Sequence, residues 1–216
     1  MTALLKLRRF GALATLLLLG ACATTPTDYL HEAPPGWSEQ LAAISMIEDW
    51  ELRGRLNVRQ ERANDTVNIT WEQHGNDQQR RFDIRLSGTL GLGATAVRGD
   101  DNGIIVEKSG EEPVYLADIE ELSRVYLEFD FPAANLLYWV RGIPVPSLPA
   151  IATWTPAAHL ATLEQTDRDG RRWVLTFDRY NTNQSPAFPG RIRLEQANLR
   201  LTFLVSDWRL NPTPAP

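Results

Sequence analysis

Cysteine is almost missing from this chain: a single residue, Cys22, stands among 216. A lone thiol excludes a disulfide framework and any thiolate-rich metal site. The three histidines (His31, His74 and His159) are scattered and no His-Glu-x-x-His occurs, which argues against zinc. No Gly-x-Ser-x-Gly elbow announces a hydrolase serine, and no Gly-Lys pair exists to build a phosphate-binding loop. The glycine-rich run from Gly88 to Gly93 lacks the following helix and downstream acid of a dinucleotide site. Positive charge is also short, with 22 Lys+Arg against 27 Asp+Glu and a net of −5, which speaks against a nucleic-acid binder. The many carboxylates read as exposed strand-face charge rather than as an acid-base couple. These absences together give no sign of an enzyme.

What is present fits one folded domain. The chain is 43% hydrophobic and 9% aromatic, with seven Trp, and is long enough for one sizeable core. Residues 1–21 have the parts of an export signal: basic Lys6, Arg8 and Arg9, an apolar stretch from Phe10 to Leu19, and small Gly20 and Ala21. That stretch is too short for a spanning helix. Leu19-Gly20-Ala21-Cys22 resembles the bacterial lipobox, and the one Cys of the chain falls at the one position the motif demands. The resemblance implies cleavage before Cys22 and N-acyl and S-diacylglycerol modification of that residue, with no other cofactor. Cleavage leaves 195 residues, with 19 cationic against 27 acidic side chains, a net of −8. Ala23 is not the Asp that holds enterobacterial lipoproteins in the inner membrane, so the lipobox resemblance implies outer-membrane placement.

Residues 22–36 are Pro- and Thr-rich and read as a lipidated tether, and 211–216 (NPTPAP) as a disordered tail. Between them, 37–210 reads as a single domain without internal repeats. Trp37, Leu41, Ile44 and Ile47 predict an amphipathic helix over 37–48. Strict alternation follows: Trp50, Leu52, Leu56 and Val58 share one face, and Glu51, Arg53, Arg55, Asn57 and Arg59 the other. The same period recurs in Val67-Ile69-Trp71, Phe82-Ile84-Leu86, Trp173-Leu175-Phe177, Ile192-Leu194 and Leu199-Leu201-Phe203-Val205. Turn residues at 74–77, 100–103 and 167–170 separate the runs. Strands with one apolar face belong to an antiparallel sheet covered on one side. Asp118 to Phe129 and Pro132 to Val140 read as helices inserted midway, covering that face. The aromatic inner surface is either a conventional core or a cavity; composition favours core.

One loop is unusual. Ser87 to Gly93 joins two strand-like runs yet displays two leucines, Leu90 and Leu92, where hairpin tips are usually polar. They either fold back onto the sheet or, on a lipid-anchored protein, face a membrane or acyl chain.

Several segments then occur together in order: Trp50-Glu51-Leu52-Arg53-Gly54-Arg55, Leu86-Ser87-Gly88-Thr89-Leu90-Gly91, and Trp139-Val140-Arg141-Gly142-Ile143-Pro144. Tyr180-Asn181-Thr182 follows, running on to Pro186-Ala187-Phe188-Pro189, and Ser206-Asp207-Trp208 closes the series. With the lipobox they resemble the LolB family of outer-membrane receptors, which accept lipoproteins from the periplasmic carrier LolA and insert them. The resemblance implies an unclosed, half-barrel antiparallel sheet with a helical lid over an apolar cavity for acyl chains. It assigns the membrane-transfer role to Leu90, with Leu92 as second candidate because Thr89 stands where the family often has Pro. It points to Trp50, Leu52, Ile69, Trp71, Phe82 and Ile84 from early strands as the cavity wall, joined by Trp139 from the lid. Trp173, Phe177, Ile192 and Phe203 from late strands complete that set. Implied partners are a LolA-like carrier, lipoprotein cargo and the inner leaflet of the outer membrane, with the receptor a monomer. A tethered lipid or peptidoglycan hydrolase and a structural assembly lipoprotein are the alternatives.

Overall fold

The computed structural model describes residues 28–61, 64–75, 79–88, 94–126 and 132–211, of which 123–126 by backbone alone. The signal segment, Cys22, Leu90, Leu92 and residues 212–216 of the tail lie outside the described residues.

The first helix, α1 (Trp37–Ser45), begins after Gly36, whose φ of 90° lies in the left-handed region that glycine adopts readily. Trp37, Leu41 and Ile44 recur on the face that packs against the core. It ends three residues before the expected 48, where Met46 turns outward to solvent. Just before it, Leu30 exchanges two backbone hydrogen bonds with Trp154, at 2.8 and 2.9 Å, so the last stretch of the tether is held against the sheet.

Six strands follow in a meander: β1 (Trp50–Arg59), β2 (Asn64–His74), β3 (Arg81–Ser87), β4 (Ala94–Asp100), β5 (Gly103–Lys108) and β6 (Val114–Leu116). Five more form a second meander: β7 (Ala150–Trp154), β8 (Leu160–Thr166), β9 (Arg172–Asp178), β10 (Arg191–Gln196) and β11 (Leu199–Leu210). The two join where β1 pairs with β11, giving one antiparallel sheet of order β6-β5-β4-β3-β2-β1-β11-β10-β9-β8-β7. The end strands β6 and β7 do not pair with each other, so the sheet is open. The expected mainly β, unclosed architecture is what the chain adopts, with five strands, β4 to β8, beyond those the alternation revealed.

Glycine is required at one place in the seam. The β1–β11 register shifts between Arg53 and Gly54, and a Cβ on Gly54 would stand 2.2 Å from the Leu204 carbonyl oxygen. Such a bulge bends the strand and sharpens the local twist, which helps a wide sheet curl over its contents.

The lid lies between β6 and β7. Helix α2 (Ile119–Tyr126) is capped at its start: Asp118 accepts the Glu121 N–H at 2.8 Å, and the Glu121 carboxylate reaches back to accept the Ala117 N–H at 2.8 Å. The expected second helix, Pro132 to Val140, is a 3₁₀ turn (Ala133–Asn135) running into one turn of α-helix, α3 (Leu136–Trp139). The first helix was expected to reach Phe129; residues 127–131 lie outside the described set.

Two apolar clusters hold the molecule. The larger gathers α1, α3 and the inner faces of β1, β2 and β8–β11, with the Trp50 ring tilted against Trp71 (5.1 Å) and Trp208 (5.5 Å). The smaller, Val97, Ile104, Val106 and Leu116, lies beneath Ile119 and Leu122 of α2.

Candidate functional site

Between these clusters the inner face of the sheet is not filled. A cavity of about 1240 Å³ lies there, larger than the roughly 300–1,000 Å³ of ordinary small-molecule pockets. Its floor is built by alternation: Leu56 and Val58 of β1, Ile69 and Trp71 of β2, and Phe82, Ile84 and Leu86 of β3 all point inward. Val97, Ile104, Leu201 and Phe203 extend the floor on either side. The roof consists of Ile119 and Leu122 from α2, the segment from Pro132 to Tyr138, and the segment from Val145 to Leu148. Leu56, Val58, Phe82, Ile84 and Leu86 are only half-buried although they sit on the inner face, because they pack against the clusters on one side and border open space on the other.

The cavity edge is charged. Arg80, Asp100, Asp101, Asp118 and Glu120 line one side, and the β8–β9 turn supplies Asp167, Arg168, Asp169 and Arg171 on another. Asp167 organises that turn: its carboxylate accepts the backbone N–H groups of Asp169 (3.0 Å) and Arg171 (2.9 Å), the Arg171 guanidinium (2.8 Å) and the Trp173 indole (2.9 Å). Burial pushes its carboxyl up, but the hydrogen bonds from Trp173 and Arg171 win and hold it below the usual carboxylate range. Among the described residues no group of three or more His, Cys, Asp or Glu is placed to hold a metal ion. No helix among them is long and apolar enough to cross a membrane.

Beside Asp167, Gln165 fixes the roof. Its side chain is buried, its Oε1 accepts from Trp139 Nε1 (2.9 Å) and the Val145 N–H (3.0 Å), and its Nε2 donates to the Val145 and Leu148 carbonyls (both 3.1 Å). All four hydrogen-bonding positions of the amide are therefore used. Sequence reasoning missed Gln165; a glutamine among the apolar residues of LATLEQT was the available signal.

The eleven wall residues expected from sequence divide. Ile69, Trp71, Phe82, Ile84 and Phe203 do line the cavity. Trp50, Leu52, Trp139, Trp173, Phe177 and Ile192 lie instead in the packed region, none more than 3% exposed. The reason is coverage: α3 seats Trp139 against Trp173 (5.7 Å between rings), and the Trp50 cluster fills the other end. Leu56, Val58, Leu86 and Leu201 were legible as inward positions by the same alternation but were not singled out as wall. Leu90 and Leu92 lie outside the described residues, yet their loop connects two placed ends. Ser87 pairs with Ala94, and neighbouring Leu86 is on the cavity wall.

Comparison with known proteins adds a family and a fold. A family model described as outer membrane lipoprotein LolB matches residues 48–208. The outer-membrane lipoprotein LolB of Ectopseudomonas mendocina is 32% identical over 206 residues, covering 94% of this chain and 97% of that protein. Its counterpart in Pseudomonas aeruginosa is 31% identical over 211 residues, covering 95% and 97% respectively. Among solved structures, a LolA superfamily protein from Nitrosomonas europaea superposes with a TM-score of 0.54 at 12% identity, over 82% of this chain and 94% of that one. A putative outer membrane lipoprotein-sorting protein domain from Vibrio parahaemolyticus gives 0.59 at 11% identity, over 83% and 92%. At such identities these two speak for the fold alone.

Proposed function

The chain belongs to the LolB family of outer-membrane lipoproteins, and from that premise we propose that it receives lipoproteins from a LolA-like periplasmic carrier and passes them to the inner leaflet of the outer membrane. The observation that carries this reading is the open, apolar-walled cavity of about 1240 Å³ beneath the helical roof. In this reading Cys22 bears N-acyl and S-diacylglycerol groups. More than one acyl chain holds a protein stably on a bilayer, where one alone is marginal. Residues 22–36 tether the monomeric lipoprotein-binding domain, 37–210, to that anchor.

The energetics favour a passive acceptor. Removing an acyl chain from water is worth about 0.8 kcal/mol per methylene, on the order of 10 kcal/mol for a whole chain. A protein holding a chain could not release it into water without fuel. Moving it from one apolar surface to the next cancels the large contributions and leaves a small difference, and about 1.4 kcal/mol already biases direction tenfold. No bond is made or broken, so no nucleophile or metal is called for. The carrier docks mouth to mouth with the cavity, acyl chains slide onto Phe82, Ile84, Phe203 and their neighbours, and the Leu90 loop engages the bilayer to release them. Leu92 is its second apolar contact.

Uptake of a fluorescent fatty acid tests this reading. The chain from Ala23 onward, exported behind a signal peptide without a lipobox, should be released from membranes and still take up the probe. Absence of uptake would leave the scaffold role in its place.

A further inference from the structure

We propose that Trp71 gives the cavity a polar recognition point, its indole N–H donating a hydrogen bond to the carbonyl that heads an acyl chain. The inference rests on the reading of the cavity as an acyl-chain site and names the group within the cargo that is recognised. Trp71 lines the cavity and is 4% exposed. Its Nε1 is buried without a hydrogen-bond partner. Three other buried indoles each have an acceptor: Trp139 donates to Gln165 (2.9 Å), Trp173 to Asp167 (2.9 Å) and Trp208 to the Pro189 carbonyl (3.0 Å). Trp154 also has an unpaired buried nitrogen, but it is not on the cavity wall.

A buried N–H without an acceptor is unfavourable, and native proteins keep few of them. On a wall otherwise built from Ile69, Ile84 and Phe203, the matching chemistry is a neutral acceptor attached to hydrocarbon. An ester or amide carbonyl has that character; a carboxylate would bring a charge into the same apolar surroundings. The nitrogen is covered by protein in this structure. Ile84, paired directly across from Trp71, and Phe82, two residues before it, are both half-buried and border the open space. They are the side chains that give way as a chain head enters.

The test compares methyl palmitate, N-methyl palmitamide and an n-alkane of equal length. Each displaces the hydrocarbon probe diphenylhexatriene from the chain beginning at Ala23, carrying Trp71 or Trp71→Phe. With Trp71 the carbonyl compounds should compete better than the alkane, and Trp71→Phe should shrink that preference about threefold to tenfold while alkane affinity holds. The ester and amide arms show whether the diacylglycerol or the N-acyl linkage is the group held. An unchanged preference, or an equal loss for all three competitors, overturns the proposal and leaves Trp71 as packing. If diphenylhexatriene itself does not bind, the acyl-chain site and this inference fall together. If Trp71→Phe does not fold, the indole N–H resonance of Trp71 in the unaltered protein decides. It should shift with ester and not with alkane, and equal shifts refute the hydrogen bond.

Discussion

Enlarging one side chain in the open region and one in the packed region separates a true cavity from a loosely drawn core. Ile84 lies on the cavity wall and is half-buried, whereas Ile192 on β10 is 0% exposed in the packed cluster. Overfilling a close-packed interior forces side chains off their rotamers and costs roughly 1–3 kcal/mol. Ile192→Trp should therefore lose at least that much in urea unfolding followed by tryptophan fluorescence, with an unchanged slope. Ile84→Trp extends into open space, so its unfolding free energy should stay within about 0.5 kcal/mol of the parent. The new indole nevertheless occupies room an acyl chain would use. Displacing two methylenes from the wall removes about 1.6 kcal/mol of binding, roughly a fifteenfold loss of fluorescent fatty acid affinity. The signature is a variant that folds as well as its parent and binds worse. Equal destabilisation by the two tryptophans would show that the space beside Ile84 is filled, and the receptor reading would lose its physical basis.

Three further outcomes are expected. Leu90→Glu should leave acceptance of cargo intact and stop its insertion into liposomes, with Leu92→Glu milder; unaltered insertion in both would remove this loop from the transfer step. Gln165→Leu strands the Trp139 and Val145 donors and two carbonyls, each worth about 1 kcal/mol or more when buried unpaired, so unfolding should become easier by roughly 3 kcal/mol or above. A loss below 1 kcal/mol would mean the roof is not held by this amide. Acid should weaken the fold through two groups of the β8–β9 side. Asp167 sits below the usual carboxylate range, so its contribution is fully present above that range and is lost as pH falls from there through its lower folded value. His159, lowered by burial, favours the neutral ring and loses stability as pH drops below the usual histidine range. Asp167→Asn should flatten the lower part of that pH profile; an unchanged profile would clear Asp167 of the role.

The legible part of the fold was the part with clean alternation and large side chains. β1, β2, β3, β9, β10 and β11 each set Trp, Phe, Leu or Ile at every second position, which is the pattern a half-covered antiparallel sheet imposes. β4 hides the same pattern in small residues (ATAVRGD), β5 carries a continuous Ile-Ile-Val run after Gly103, and β6 is three residues long. β8 places Gln165 inward among apolar residues, which breaks the alternation, because that position holds the roof rather than fills the core. The site was half legible for a related reason. Alternation gives the face a side chain points to, but packed core and open cavity share that face. What divides Trp173 from Phe82 is whether α3 lies above it, and that depends on a lid whose position is set by Gln165, 26 residues from the Trp139 it holds.

That division also explains how a small domain can keep an apolar hollow at all. A wide open sheet has more inner surface than one short helical insertion can cover, so some apolar area must remain bare. The large rings gather in two packed groups, a chain of contacts from Trp71 through Trp50 and Trp208 to Phe188 and the pair Trp139 and Trp173, and these concentrate stability away from the open floor. The remaining floor of Leu56, Val58, Phe82, Ile84 and Leu86 is then left partly uncovered at a modest cost. Under the proposed receptor role, that uncovered area would supply the affinity for hydrocarbon, and its limited extent would keep the hold on an acyl chain weak enough for a bilayer to win it back.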